Sequence, residues 1–246
     1  MPGLAQVLVV VALSGVGAFV QGATGLGYGL VVAPGLFAVL EPRQALYATL
    51  CSALVLNGLM LLGARPVVRG RAAATALVWA VPGFVAGAAV VGGISRSHLQ
   101  VAVGIAVVLA VMARAWHPDV VAAGPRRSAV RAGAGLMAGF LTTTISSNGP
   151  PLALWLDAEG VRGREMRDTL QVLFACFNLA GVAALAFHEL PRHDTAVTTG
   201  LLLPGLVAGL VAGRRIAPRL APETARRLAL AVICATGAGS VVAGLL

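Results

Sequence analysis

Read for apolar and polar positions, the chain is a series of long apolar stretches uninterrupted by charge. They run 3–40, 44–64, 72–95, 97–113, 132–156, 169–187, 195–213 and 228–246. Each is about long enough to cross roughly 30 Å of hydrocarbon as a helix. Two of them are interrupted by polar residues and helix breakers. In one, Ser146-Ser147-Asn148-Gly149-Pro150-Pro151 follows the apolar run 134–145 and precedes the short run 152–156. The prolines cannot extend the first helix but fit the first turn of a new one, and Ser147 or Asn148 is placed to cap it. The pattern predicts a helix that stops, a polar loop, and a helix that restarts. A twin break is expected at 22–29, within Gln21-Gly22-Ala23-Thr24-Gly25-Leu26-Gly27-Tyr28-Gly29.

Composition supports this reading. The chain has 246 residues, 58% hydrophobic and 11% charged, against about 25% charged in soluble domains. The expected fold class is all-α, a polytopic membrane protein whose first partner is the lipid bilayer. The net charge of +9 comes from arginine alone, with no lysine, and the arginines fall in short loops between apolar stretches. That placement serves topology, so no nucleic-acid partner is expected. Cys51, Cys176 and Cys234 are too far apart for a local metal motif and read as small packing residues. The N-terminus lacks the basic region of a cleavable signal peptide and reads as part of the mature protein.

The two halves resemble each other. Pro82-Gly83-Phe84-Val85-Ala86-Gly87 aligns with Pro204-Gly205-Leu206-Val207-Ala208-Gly209 at an offset of 122. Leu56-Asn57 aligns with Phe177-Asn178, and Gly15 and Phe19 with Gly135 and Phe140, at 120–121. The chain is expected to be a duplication. Its first repeat, 1–121, would hold a broken pair at 4–40 and helices at 45–63, 73–93 and 98–113. Its second repeat, 122–246, would hold a broken pair at 131–157 and helices at 169–187, 195–213 and 225–246.

If the loops 64–72, 114–131, 157–168 and 214–227 are cytoplasmic, they carry 15 of the 18 arginines, leaving Arg43, Arg96 and Arg192 outside. The inside loop 64–72 then corresponds to the outside loop 188–194, so the repeats are inverted. Inversion requires an odd number of crossings per half. Each broken pair is therefore read as a re-entrant hairpin reaching mid-depth, with three full spans after it and both termini outside. Two full-length tilted spans remain the alternative for the first pair.

Irregular backbone survives at depth only against protein or a watery cavity, so the breaks predict an enclosed site. The restarting helices would aim N–H groups and partial positive charge at it, which favours an anion. The candidate residues are Gln21, Thr24, Gly25, Gly27 and Tyr28 in the first half, and Ser146, Ser147, Asn148, Gly149 and Pro150 in the second. Asn57 and Asn178 are lone amides in apolar helices, equivalent by repeat. Each reads equally as an interhelical hydrogen bond or as a site residue. Gln171 is a weaker candidate on the same helix as Asn178, and Thr49 and Ser52 sit near Asn57. His98, His117, His188 and His193 lie at loops or span ends, and no carboxylate lies deep in a span. No metal motif, phosphate loop or dinucleotide fingerprint is present, and no cofactor is expected.

The residues Gly139-Phe140-Leu141, Asn148-Gly149-Pro150-Pro151-Leu152, Arg167-Asp168-Thr169 and Asn178 resemble the second half of the TauE/SafE (sulfite exporter) family. Gly22, Gly25, Gly27, Gly29 and Pro34 are similar to its first repeat. The resemblance implies a transporter, not an enzyme, in the cell (inner) membrane. It implies small sulfur-containing anions as substrates: sulfite, sulfoacetate or related organosulfonates. Ser146-Ser147-Asn148 stand where the family commonly has glycines, which would bring hydroxyl and amide groups into the coordination. The competing readings are a non-transporting membrane scaffold and an integral-membrane enzyme acting on a thiol or lipid. Oligomeric state is not readable from these patterns.

Overall fold

A computed structural model of the protein describes residues 4–62, 66–91, 126–187 and 193–219. The helices expected at 98–113 and 225–246 lie outside the described residues. Within these there are eight α-helices: α1 (Leu4–Thr24), α2 (Tyr28–Val39), α3 (Pro42–Leu61), α4 (Gly70–Val91), α5 (Arg126–Ile145), α6 (Gly149–Ala158), α7 (Gly163–Ala186) and α8 (His193–Ile216). A short 3₁₀ turn, Ala217–Arg219, follows. Among the described residues, five helical stretches are long and apolar enough to cross a membrane: Gln6–Thr24, Pro42–Leu61, Gly70–Val90, Gly163–Ala186 and Asp194–Arg219.

Two breaks interrupt the helices, and both are tighter than the sequence suggests. The first is confined to 25–27, because Gly22 stays helical and packs against Leu210 and Arg214. Gly25 and Gly27 turn the chain with φ of 91° and 123°, values that favour glycine. The second break covers only 146–148, because Gly149, Pro150 and Pro151 already form the first turn of α6. The charged loop expected at 157–168 shrinks as well. Helix α7 starts at Gly163, with Glu165 in its first turn and an Arg164–Asp168 pair one turn apart at 3.4 Å. Likewise α5 starts at Arg126 rather than 131.

Each broken pair folds back on itself. Gly17 and Gly35 pack against Val32 and Leu13, so α2 returns antiparallel along α1. Helix α6 returns along α5 until Glu159 meets Arg131 in a two-pronged ion pair (Nε–Oε1 2.7 Å, Nη2–Oε2 2.9 Å). The two arms of the first hairpin differ in length, 21 residues in α1 and 12 in α2. With a span of 19 residues, α1 is long enough to cross by itself. Its last turn reaches Arg214 near the end of α8.

Two glycine seams hold the hairpins to the remaining helices. The carbonyl oxygens of Val11, Gly15 and Phe19 sit where a Cβ of Gly205, Gly209 and Gly213 would be, so α1 and α8 lie parallel and very close. The carbonyl oxygens of Leu136 and Phe140 press in the same way on Gly83 and Gly87, and Ala80 presses on Gly139, making α4 and α5 parallel too. Small residues at such spacing let backbones approach where no hydrophobic force drives helices together in lipid. Between the two pairs, α3 crosses α7 antiparallel: Leu50 packs on Gly181 and Asn57 lies on the side of Gln171.

One end of the bundle therefore collects the end of α1, the 66–69 segment, the hairpin base at Arg131–Glu159, the start of α7 and the end of α8. Val67 and Arg69 donate their amides to Asp168 Oδ2 (3.1 Å) and Thr169 Oγ1 (3.2 Å), and Arg69 pairs with Glu165 at 3.5 Å. At the opposite end, Gln44 of α3 donates to Thr198 of α8 at 3.1 Å. Among the described arginines, Arg43 sits at that opposite end and the rest at the first.

Candidate functional site

The two breaks meet. Gly29, just inside α2, lies directly against the Ser146 carbonyl, and beside this contact is a cavity of about 30 Å³. Such a volume holds a water or two, or the head of a small polar solute. Its walls come from both hairpins and from the α3–α7 pair. Gln21, Gly27, Asn57, Ser146, Ser147, Asn148, Gly149 and Asn178 line it, as do Gly29, Leu30, Ala53 and Phe174.

Hydrogen bonds tie the polar lining together. Gln21 Oε1 accepts from the Tyr28 amide (3.1 Å) and so takes over the first amide of α2. Gln21 Nε2 donates to Asn57 Oδ1 (2.7 Å) and to Gln171 Oε1 (3.3 Å). On the other side, Asn148 Nδ2 donates to Asn178 Oδ1 at 3.4 Å. Asn148 occupies the N-cap position of α6 but makes no side-chain capping bond. The expected cap is thus replaced: its amide is drawn across to α7, and Pro150 and Pro151 have no N–H for it to accept.

Both asparagines have the same status. Each gives its carbonyl oxygen to a side chain at a break, which leaves its NH₂ group without a protein partner among the described residues. Ser146 adds a further donor. It is held at φ 54°, an uncommon conformation for a residue other than glycine, and its buried Oγ has no hydrogen-bond partner among the described residues. An orphaned buried hydroxyl costs about 1–3 kcal/mol, which a ligand could offset.

The other expected site residues stand back from the cavity. Thr24 Oγ1 lies 2.8 Å from the carbonyl oxygens of Val20 and Leu26 and braces the first break locally. Tyr28 sends its hydroxyl away to Ser14 (3.1 Å) and Ser52 (2.9 Å). Gln171 Nε2 donates to the Gly25 carbonyl at 2.6 Å, so both hold the turn rather than line the space. Pro150 sits in the first turn of α6, where it removes an N–H donor from that helix end. The α6 terminus is consequently poorer in backbone donors than expected, and side-chain amides and hydroxyls supply most of the polar lining.

Gly29, Leu30, Ala53 and Phe174 also line the cavity, and the sequence did not single them out as site residues. Gly29 carried a signal, as the last of the closely spaced glycines, but only the meeting of the hairpins shows what it touches. Phe174 carried none, being one more apolar residue in an apolar helix.

A family model described as Sulfite exporter TauE/SafE matches residues 9–239 of the chain. No curated protein and no solved structure matches it.

Proposed function

The chain belongs to the sulfite exporter TauE/SafE family and is a multi-pass membrane transporter rather than an enzyme, and from that premise we propose that the cavity between the two breaks is its anion site. Small sulfur-containing anions are the proposed cargo: sulfite, sulfoacetate or a related organosulfonate. The single observation that carries this reading is the matched pair of asparagines. Asn57 and Asn178 each have their acceptor occupied from a break, by Gln21 and Asn148, and their donors left over. With the unpartnered Ser146 hydroxyl, they make a buried lining of donors, which suits a deprotonated oxyanion and disfavours a cation. Gly27 and Gly149 let a ligand approach the backbone.

The packing supports an inverted duplication. Exchanging the halves exchanges α1 with α5 and α4 with α8, and this carries the parallel α1–α8 pair onto the parallel α4–α5 pair. The hairpins also open toward opposite ends of the bundle, as a two-fold axis in the membrane plane requires. We place the arginine-rich end in the cytoplasm and both termini outside. A thermal-shift screen of the purified protein against oxyanions, organosulfonates and matched cations tests the assignment. Stabilisation by small anionic sulfur species alone is expected, and equal response to cations of the same size would reject it.

A further inference from the structure

The first hairpin has a cavity on one side of its tip and uncommitted positive charge on the other. Gln21 and Gly27 face the cavity, while Ala23 and Gly25 touch Arg167: its Nη2 donates to the Ala23 carbonyl at 3.4 Å and its side chain packs on Gly25. Arg214 lies beside Gly22 on the same tip and donates Nη2 to the Leu59 carbonyl at 3.0 Å. Both arginines are exposed residues.

Their neighbours are arranged differently. Arg131, Arg162 and Arg164 are paired with Glu159, Asp157 and Asp168, and Arg69 with Glu165. Arg167 and Arg214 bond to neutral carbonyl oxygens, and no described carboxylate pairs with either. Their charge is therefore available to an arriving anion. From Arg167 a polar sequence leads inward: Gln171 donates to the Gly25 carbonyl, Gln21 donates to Gln171, and Gln21 also donates to Asn57 at the cavity wall.

We propose that Arg167 and Arg214 form an anion-collecting mouth at this end, which draws a small oxyanion from solution to the tip of the first hairpin. The inference rests on the anion-site reading above. The pair lies outside the cavity and acts on the rate of encounter. Oriented charge of this kind raises association rates by about 10-fold or more, and salt screens it. The tip between the mouth and the cavity is held by the Gln171–Gly25 contact, which must open for the anion to pass.

The experiment is initial-rate uptake of labelled sulfite into proteoliposomes, for wild type, Arg167→Gln, Arg214→Gln and the matching lysine variants. Rates are compared at about 0.01 M and about 1 M ionic strength, where the screening lengths are about 30 and 3 Å. The glutamine variants should be about 3- to 10-fold slower at low salt, should approach wild type at high salt, and should be rescued by lysine. Wild-type rates in both glutamine variants at low salt would overturn the mouth. A loss that persists at high salt and in the lysine variants would also overturn it, by assigning the arginines a packing role. If the wild type itself moves no oxyanion, the anion-site reading fails and the mouth falls with it.

Discussion

Gly29 packs its backbone so closely against the carbonyl oxygen of Ser146 that any side chain at position 29 would overlap that oxygen. This contact joins the two hairpins at the cavity. The neighbouring Gly149 is different: a Cβ there would meet Phe174 at 3.7 Å and Leu26 at 4.0 Å, which is ordinary contact. Two glycines at one site thus have separate roles, one for packing and one for space.

Gly29→Ala should destabilise the protein by about 1–3 kcal/mol, the usual cost of overpacking, and should weaken anion binding together with stability. Gly149→Ala should be nearly silent, whereas Gly149→Leu should abolish binding by filling the cavity while the protein stays folded. Thermal unfolding in detergent, run beside a binding assay, separates the cases. Equal behaviour of Gly29→Ala and Gly149→Ala would refute the assignment.

The Arg131–Glu159 pair closes the base of the second hairpin with two parallel bonds, and the Glu159 side chain is 9% exposed. Glu159→Gln should lower stability by about 1–2 kcal/mol, after allowance for the half-exposed arginine. A double-mutant cycle with Arg131→Gln should recover most of that loss as coupling. Additive single effects would mean that the clasp contributes nothing.

Side chains and backbone of 66–69 reach Glu159, Glu165, Asp168 and Thr169, so these segments share one face of the membrane. In a cysteine-free background, Val68→Cys and Arg164→Cys should behave alike toward an impermeant thiol reagent. Both should be protected in intact cells and both should label after permeabilisation. Labelling of both from outside would reverse the proposed orientation, and labelling of only one would contradict the packing.

Much of this arrangement can be read from residue types alone. Apolar stretches without charge predict the helices, and Pro150-Pro151 and the glycines at 25 and 27 mark where they stop. Asn57 and Asn178 stand out because an amide is conspicuous in an apolar helix. The extent of α1 is harder to read, since Gly22 looks like a breaker until its packing partner on α8 is known. Hydrogen-bond direction is harder still: nothing in the sequence says that Asn148 reaches Asn178 instead of capping α6, or that Tyr28 turns to Ser14 and Ser52. Arg167 stands out in the sequence only within the Arg167-Asp168-Thr169 motif, and its place against the first break depends on contacts across 144 positions.

The central claim is that the amide NH₂ groups of Asn57 and Asn178 hold the anion, and replacing each amide by a carboxylate of the same shape tests it most directly. Asn57→Asp and Asn178→Asp keep the acceptor oxygens that Gln21 and Asn148 bond to, but remove the donors and add negative charge. Calorimetric titration of sulfite into the purified proteins is the measurement. Each aspartate variant should bind at least about 10-fold more weakly than wild type, a difference of about 1.4 kcal/mol, with Asn→Ala variants in between. Sulfite affinity equal to wild type in both aspartate variants would contradict the account.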